Sequence, residues 1–345
     1  MKTSSLFADK IHFWPFRLFS EAWIRSFFVK RSGQNTAPFS YNKDLTGIVK
    51  RLIILPHSLA TLAAHLPFLL EMDRKGKPDD LKLLCDLSFL PLLKALGIEK
   101  HGIFANFAGL RYGNPDFSQL ELTLQNSKFE VCIMLEESPS LLLLYLARAS
   151  GAPMRLGLDC EKHYPFLNIS YRSADSSPYS FRTHMDGLFQ TSSWTHEHPL
   201  AHDPANLSSQ KVILLNLESS IGGTSWTTEE LSQIAASIDP HYRLLALITD
   251  PSLLEKFTPL LERLSIRTAP IASSYTAFLD LLRQYRGMIS LNSAHAQLAI
   301  NISKIPTLLL TEPRLAQWSP RYCSNVHIIE RGKPLGPLAL DLLTR

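Results

Sequence analysis

From Leu52 onward the chain alternates two kinds of apolar spacing. Short aliphatic runs without charge, at 52–55, 131–135, 212–216 and 287–291, have the pattern of parallel strands buried on both faces. Between them lie stretches with apolar residues three and four apart; in 58–74, Leu59, Leu62, Ala63 and Leu66 share one helical face. In the first half this predicts further strands at 82–85, around Ile103, and at 155–158 and 167–171, with helices at 90–96, 118–125, 139–150 and 181–190. A second series adds helices at 227–237, 251–264, 275–283 and 294–302 and strands at 242–248, 266–269 and 306–310. Such alternation predicts mainly parallel sheets with helices on both faces, an α/β class.

The polar stretch 173–210, rich in Ser, His, Pro and Asp, separates the two series, and its later part reads as a linker. The expected organisation is an extension over 1–47, a Rossmann-like domain over 48–190, a linker over 191–210 and a second Rossmann-like domain over 211–345. A length of 345 residues agrees, since a single core rarely serves so long a chain. With 45% hydrophobic and 19% charged residues the composition is that of a folded globular protein. Cys85, Cys132, Cys160 and Cys323 are far apart and show no metal-ligand spacing, so neither a disulfide framework nor a metal site is expected, and a reducing cytoplasm is the expected compartment. The longest apolar run, 141–147, is far short of the ~20 residues that span a bilayer, and no clean signal peptide opens the chain.

Charge changes the picture only at the N-terminus. The net charge is +4, yet residues 1–50 alone carry eight Lys or Arg against three Asp or Glu. There Phe13, Trp14, Phe16, Phe19, Trp23, Phe27 and Phe28 are interleaved with Arg17, Arg25, Lys30 and Arg31. That mixture suits a helix lying on an anionic membrane surface through residues 11–31, and equally a helix packed on its own domain. Pro15 restricts any helix to the part after it. No basic motif or groove-reading module accompanies the patch, so nucleic acid is not an expected partner.

Chemistry concentrates in 287–320. A buried strand ends at Leu291, the N-cap types Asn292 and Ser293 follow, and a small-residue helix begins at Ala294. A helix starting at the carboxyl end of a parallel strand directs free N–H groups and a positive dipole end at the crevice, where phosphate binds; an ordinary βαβ unit without a ligand has the same pattern. The turn Gly222, Gly223, Thr224 and Ser225 before the helix at 227 is hydroxyl-rich and flexible, fit either for phosphate oxygens or for a plain strand-to-helix connection.

Several blocks, in order over 50–330, resemble glycosyltransferase family 9, the ADP-heptose:lipopolysaccharide heptosyltransferases. They are RLIILPHSLATLAAHLPFL, FEVCIMLEESPSLLLLYLARASGAPMRLGL with Arg155 and Gly157, RTHMDGLF with His184 and Asp186, VILLNLESSIGGTSWTTEELSQIAASI with Trp226, and SLNSAHAQLAINISKIPTLLL followed by EPRLAQWSP with Trp318 and Pro320. The resemblance implies a GT-B fold, two Rossmann-like doubly wound domains facing a cleft. It also implies a nucleotide-diphosphate sugar as donor, no metal or other cofactor, and a lipid-linked or envelope-glycan acceptor reached at the inner face of the cytoplasmic membrane. For the donor site it implies Gly222, Gly223, Thr224, Ser225, Trp226, Asn292, Ser293, Ala294, Gln297 and Trp318.

The chain departs from the family where the chemistry sits. The family's Gly-Asp before the first helix, the Asp acting as base, corresponds to Ala60 and Thr61, and a threonine is no general base near neutral pH. The family's Lys two residues before the Trp corresponds to Thr224. Its Asp-Ser/Thr-Gly corresponds to Asn292, Ser293 and Ala294, with Gln297 near its His position and His295 displaced from it. His57, ending the first strand, and Glu136 and Glu137, ending the strand at 131–135, are the surrogate bases to weigh, each also explicable as a solvated loop side chain. His65 reads as a packed or surface histidine. Two functions follow: a glycosyltransferase with His57 or Glu136 as base, or a catalytically silent relative that binds a nucleotide-sugar or a partner protein as scaffold. Other two-domain nucleotide-sugar proteins such as epimerases form a third class.

Overall fold

The computed structural model describes residues 49–76, 79–111, 114–159, 165–172, 177–191, 211–248, 250–270, 272–320 and 323–333. The basic aromatic extension, the membrane contact expected of 11–31, and the linker apart from Thr191 lie outside the described residues.

Two parallel six-stranded sheets are described. The first contains β1 (Arg51–Ile54), β2 (Leu81–Asp86), β3 (Gly102–Ala105), β4 (Val131–Met134), β5 (Met154–Leu158) and β6 (Ile169–Tyr171), in the order β3-β2-β1-β4-β5-β6. The second contains β7 (Val212–Asn216), β8 (Arg243–Leu247), β9 (Arg267–Thr268), β10 (Gly287–Leu291), β11 (Thr307–Thr311) and β12 (Val326–Glu330), in the order β12-β11-β10-β7-β8-β9. Each sheet grows outward from its first strand to one side, then restarts beside that strand on the other. Their carboxyl-end connections therefore diverge between β1 and β4 in one sheet and between β7 and β10 in the other, the topological switch points where open α/β sheets bind ligands.

The helices are α1 (Leu59–Lys75), α2 (Leu90–Ala95), α3 (Pro115–Asn126), α4 (Leu141–Ala149), α5 (Pro178–Phe189), α6 (Thr228–Ser237), α7 (Pro251–Arg263), α8 (Tyr275–Leu282) and α9 (Ala294–Leu298). Most begin at a side chain legible in the sequence: Asn114, Ser140, Ser177, Asp250, Ser274 and Ser293 each accept an N–H of the first turn, and Thr227 with Glu230 forms a capping box. Pro115, Pro178 and Pro251 occupy first helical positions, where no N–H is missed. The helix expected over 294–302 is α-helical only to Leu298; Ala299–Ser303 continues as a π-turn, closed by Lys304 in the left-handed region. β12 was not anticipated.

The chain falls into two compact units. The first holds the described residues up to His57, Lys75–Leu90 and Gly97–Ala174; the second holds Ser58–Arg74, Pro91–Leu96 and those from Asp175 on. α1, but for its last residue, and most of α2 thus group with the second unit. In the first unit Leu52, Ile54, Cys132 and Met134 from the strands meet Leu120 and Leu124 of α3 and Leu143 and Leu146 of α4. In the second, Ile213, Leu215, Ile289 and Leu308 pack with Trp226, Leu231, Ile234 and Leu261. Burying an aliphatic side chain of this kind contributes about 1.5–3 kcal/mol, which keeps both strand sets in register with their polar ends at one edge.

Candidate functional site

In the first unit the parallel register pairs Ile54 with Met134, so the residues leaving β1 and β4 emerge level with each other. His57 comes from the first connection and Glu136 from the second. Nδ1 of His57 lies 3.0 Å from Glu136 Oε2, and the His57 main-chain N–H donates to the same oxygen at 3.1 Å. Ser138 N–H donates to Oε1 at 3.3 Å. The imidazole is half-exposed while the carboxylate is nearly covered, at 50% and 12% side-chain exposure. The Glu136 hydrogen bond, opposed by burial and assisted by the charges of Glu136 and Asp86, raises the His57 pKa above 6.5. Burial pushes Glu136 upward, but the hydrogen bond and charge of His57 with two N–H donors outweigh it and hold Glu136 below the ordinary carboxylate value. Asp86, ending β2, accepts from Ser88 N–H and Phe107 N–H, each at 2.9 Å, and its charge adds to the field at His57. Burial, with the neighbouring Glu136 charge, pushes Glu137 up to about 8, so it holds its proton at neutral pH. Two ionised carboxylates, Glu136 and Asp86, thus act on one histidine at the switch point, with the protonated Glu137 next to Glu136.

The second unit builds its switch point from amides and hydroxyls. Asn216, the last residue of β7, is fully buried, and its Nδ2 donates to Ser290 Oγ and Ser293 Oγ at 3.0 Å each. Trp226 is buried and donates its indole N–H to the Asn216 carbonyl at 2.8 Å, which folds the connection back over the strand end. Ser220–Thr224 is a tight turn closed by Gly223 N–H to Ser220 O and Ser220 N–H to Thr224 O, each at 2.8 Å. Ile221 N–H donates to the Asn292 carbonyl at 2.8 Å, tying this turn to the end of β10. Gly223 has φ +78, a left-handed conformation that a side chain would strain.

At the start of α9 the expected anion seat is already filled. Glu218, two residues beyond β7, accepts His295 N–H at Oε2 (3.1 Å) and faces His295 Nδ1 with Oε1 (2.9 Å). The Ser293 hydroxyl caps the next N–H, that of Ala296, at 3.2 Å. Burial works against the Glu218 charge, yet hydrogen bonds from His295 and Ser293 and the His295 charge hold its pKa low. The His295 ring stacks on Tyr275 at 6.4 Å and meets Phe278 edge-on at 5.2 Å. Beside it lies a cavity of about 340 Å³, lined by Leu247, Ile248, Ser273, Tyr275, Phe278 and His295 among others. An apolar, aromatic wall with a few hydroxyls is the lining of a small-molecule pocket.

The structure therefore brings His57 and Glu136 together and places Gly222, Gly223, Thr224 and Ser225 at the surface of one turn, the glycines exposed and the hydroxyl residues half-buried. Asn292, Ser293 and Trp226 are buried beneath that turn, where their polar atoms are matched to neighbours. Ala294 is half-buried as the first residue of α9. Gln297 is buried and donates to Asn292 Oδ1 and to the Trp318 carbonyl, while Tyr179 donates its hydroxyl to Gln297 Oε1; Trp318 itself ends the short helix Pro313–Trp318 and is half-buried. Thr61 stands inside α1, buried. His65 is buried edge-on against Phe181. Glu218, Asn216 and the seat of His295 escaped the sequence reading. The signal for Glu218 was present, a carboxylate just past the first strand of its unit, as Glu136 follows β4. Among the described residues no group of His, Cys, Asp and Glu could hold a metal, and no helix is long and apolar enough to cross a membrane.

No protein-family model and no curated protein matches this sequence. Solved structures do match. A glycosyl transferase family 9 protein from Veillonella parvula superposes with TM-score 0.61 at 17% identity, covering 84% of this chain and 88% of its own. The E. coli heptosyltransferase WaaC with ADP gives TM-score 0.61 at 13% identity, over 81% and 93%. E. coli ADP-heptose lps heptosyltransferase II gives 0.56 at 15%, over 81% and 90%. At such identities the likeness is one of fold: this chain has the two doubly wound parallel sheets of the GT-B type that glycosyltransferase family 9 structures share.

Proposed function

We propose that this protein is a heptosyltransferase-like glycosyltransferase, moving a sugar from a nucleotide-diphosphate donor to a lipid-linked or envelope-glycan acceptor. The observation that carries the reading is that each sheet gathers its titratable and hydroxyl-bearing side chains at the carboxyl edge of its switch point. In the first unit, an N–H at His57 Nδ1 directed to Glu136 leaves Nε2 with the free lone pair. Nε2 then accepts the proton of the acceptor hydroxyl while its oxygen attacks the donor's anomeric carbon, and Glu136 stabilises the imidazolium that forms. The sugar's bond to the diphosphate breaks with its electron pair going to the departing phosphate oxygen. In the second unit the cavity beside Tyr275 and Phe278 suits a nucleobase, and the Gly222–Ser225 turn suits the diphosphate. One neighbour in fold was solved with ADP, which agrees with a donor of this class.

A second reading is favoured by one observation: Glu218 fills the start of α9, the place where a phosphate would be expected. On that reading the protein binds a nucleotide-sugar or partner without turning it over. Calorimetry with ADP- and UDP-sugars, followed by an assay for nucleoside diphosphate release, separates the two. Turnover that falls about 10²- to 10⁴-fold in His57→Ala supports the first. Saturable binding without turnover supports the second. Undiminished transfer after alanine substitution of both His57 and Glu136 removes the base assignment, and no binding at all removes the donor.

A further inference from the structure

We infer that Arg314 supplies the positive charge that receives the diphosphate, holding it against the Gly222–Thr224 turn rather than on the helix start; the inference rests on the donor reading above. The helix start is closed to a second anion. Glu218 takes the His295 N–H and faces the imidazole, the Ser293 hydroxyl takes the Ala296 N–H, and a phosphate there would meet a carboxylate of like charge. The turn on the other wall has exposed glycines and half-buried hydroxyls, and stays close to β10 through the Ile221 to Asn292 hydrogen bond.

Arg314 reaches that turn from the helix Pro313–Trp318, just after β11. Its Nη2 donates to Thr224 Oγ1 at 3.3 Å. A Cβ built on Gly222 would lie 3.1 Å from the same Nη2 and 3.3 Å from Leu315 Cδ1, so the guanidinium packs closely on the bare glycine and a side chain there would push it back by a few tenths of an ångström. Glu312, its charge offset by Arg314 and Arg331, fixes the Arg314 guanidinium through Nε and also hydrogen-bonds Thr224, leaving most of the five N–H donors of Arg314 for a ligand. Its side chain is 63% exposed. A second guanidinium at this turn, that of Arg331 just after β12, is not available in that way. It is 12% exposed, paired with Glu230 through Nε and Nη2, and spends Nη2 also on the Ser225 carbonyl at 2.6 Å. Arg331 thus braces the turn through the Ser225 carbonyl, while the exposed Arg314 presents a planar fork suited to phosphate oxygens.

The test is calorimetry of the intact chain and of Arg314→Ala with ADP and UDP, and with adenosine and uridine as controls. Arg314 is exposed and anchors no core, so the variant is expected to melt with the parent. The expected result is nucleoside diphosphate binding about 10- to 100-fold weaker in the variant, the range of a charge-assisted hydrogen-bond pair, with nucleoside binding unchanged. Nucleoside diphosphate binding that stays within twofold of the parent, or a loss shared equally by the nucleosides, overturns the role of Arg314 and leaves the donor reading standing. If the intact chain binds neither ADP nor UDP, the donor reading falls and this inference with it.

Discussion

His57 illustrates how far one neighbour sets a side chain's chemistry. Its pKa is raised by the Glu136 hydrogen bond against the pull of burial, so Nε2 is free to accept a proton only above that raised value. Activity is therefore expected to climb with pH through an apparent pKa above 6.5. Glu136→Gln removes the main raising partner and leaves burial, which lowers a histidine, opposed by the Asp86 charge. A pH–rate profile of that variant should show its ascending limb displaced toward acid, with a lower plateau because the imidazolium has lost its counter-charge. A limb that does not move would separate His57 from the observed base. The same pair sets a stability window: since the folded pKa of His57 is raised, the stabilisation is fully present below about pH 6.5 and is lost as pH rises through the raised value. The depressed value of Glu136 acts at the other end, where stabilisation present above the ordinary carboxylate pKa is lost as pH falls through the folded one.

At the scale of elements, the caps explain why the helices begin where they do, and Ser293 has duties beyond its hydrogen bond to Glu218. It caps α9 through Ala296 N–H and accepts from Asn216 Nδ2, so one hydroxyl joins the helix start to the end of β7. Ser293→Ala is expected to lower unfolding free energy by about 1–2 kcal/mol, measurable by urea denaturation, since the cap is lost and the buried NH2 group of Asn216 keeps only its Ser290 partner. The caps were legible because a polar residue before an apolar run is a local signal. The π-turn at Ala299–Ser303 was not, because its hydrogen-bond slip coincides with tertiary bonds. Asn301 Nδ2 donates to Tyr179 Oη at 2.9 Å, and Arg182 Nη1 donates to Asn301 Oδ1 at 2.9 Å. β12 was missed because it pairs only with β11 and is nowhere fully buried, so VHIIE lacks the uninterrupted apolar run of an inner strand.

At the scale of the whole molecule, both units use one plan. Each opens its sheet at the first strand, and each sets a His–Glu pair across its switch point, with the imidazole Nδ1 and the histidine N–H both meeting the carboxylate. The order is exchanged: His57 follows the first strand of its sheet and Glu136 the fourth, whereas Glu218 follows the first and His295 the fourth. Within the second unit, α1, α5 and the π-turn are joined by one buried guanidinium, since Arg182 donates also to the Ala64 carbonyl at 2.9 Å. Arg182→Ala leaves those acceptors buried and a cavity among them. A loss of roughly 3–5 kcal/mol is expected, read as a lowered midpoint in chemical denaturation of the intact chain.

The sequence by itself determined the α/β class, the alternation of strand and helix, most helix starts, and the gathering of His57, Glu136, the 222–225 turn and Asn292–Ser293 at strand ends. These are properties of spacing and of neighbours a few residues apart, which a chain carries before it folds. Only the tertiary structure decided that His57 and Glu136 meet, that Glu218 occupies the start of α9, and that Arg314 reaches the turn at Thr224. Those partners lie 79, 77 and 90 residues apart, and what joins them is the register of the parallel strands whose ends carry them, which has no local trace in the sequence.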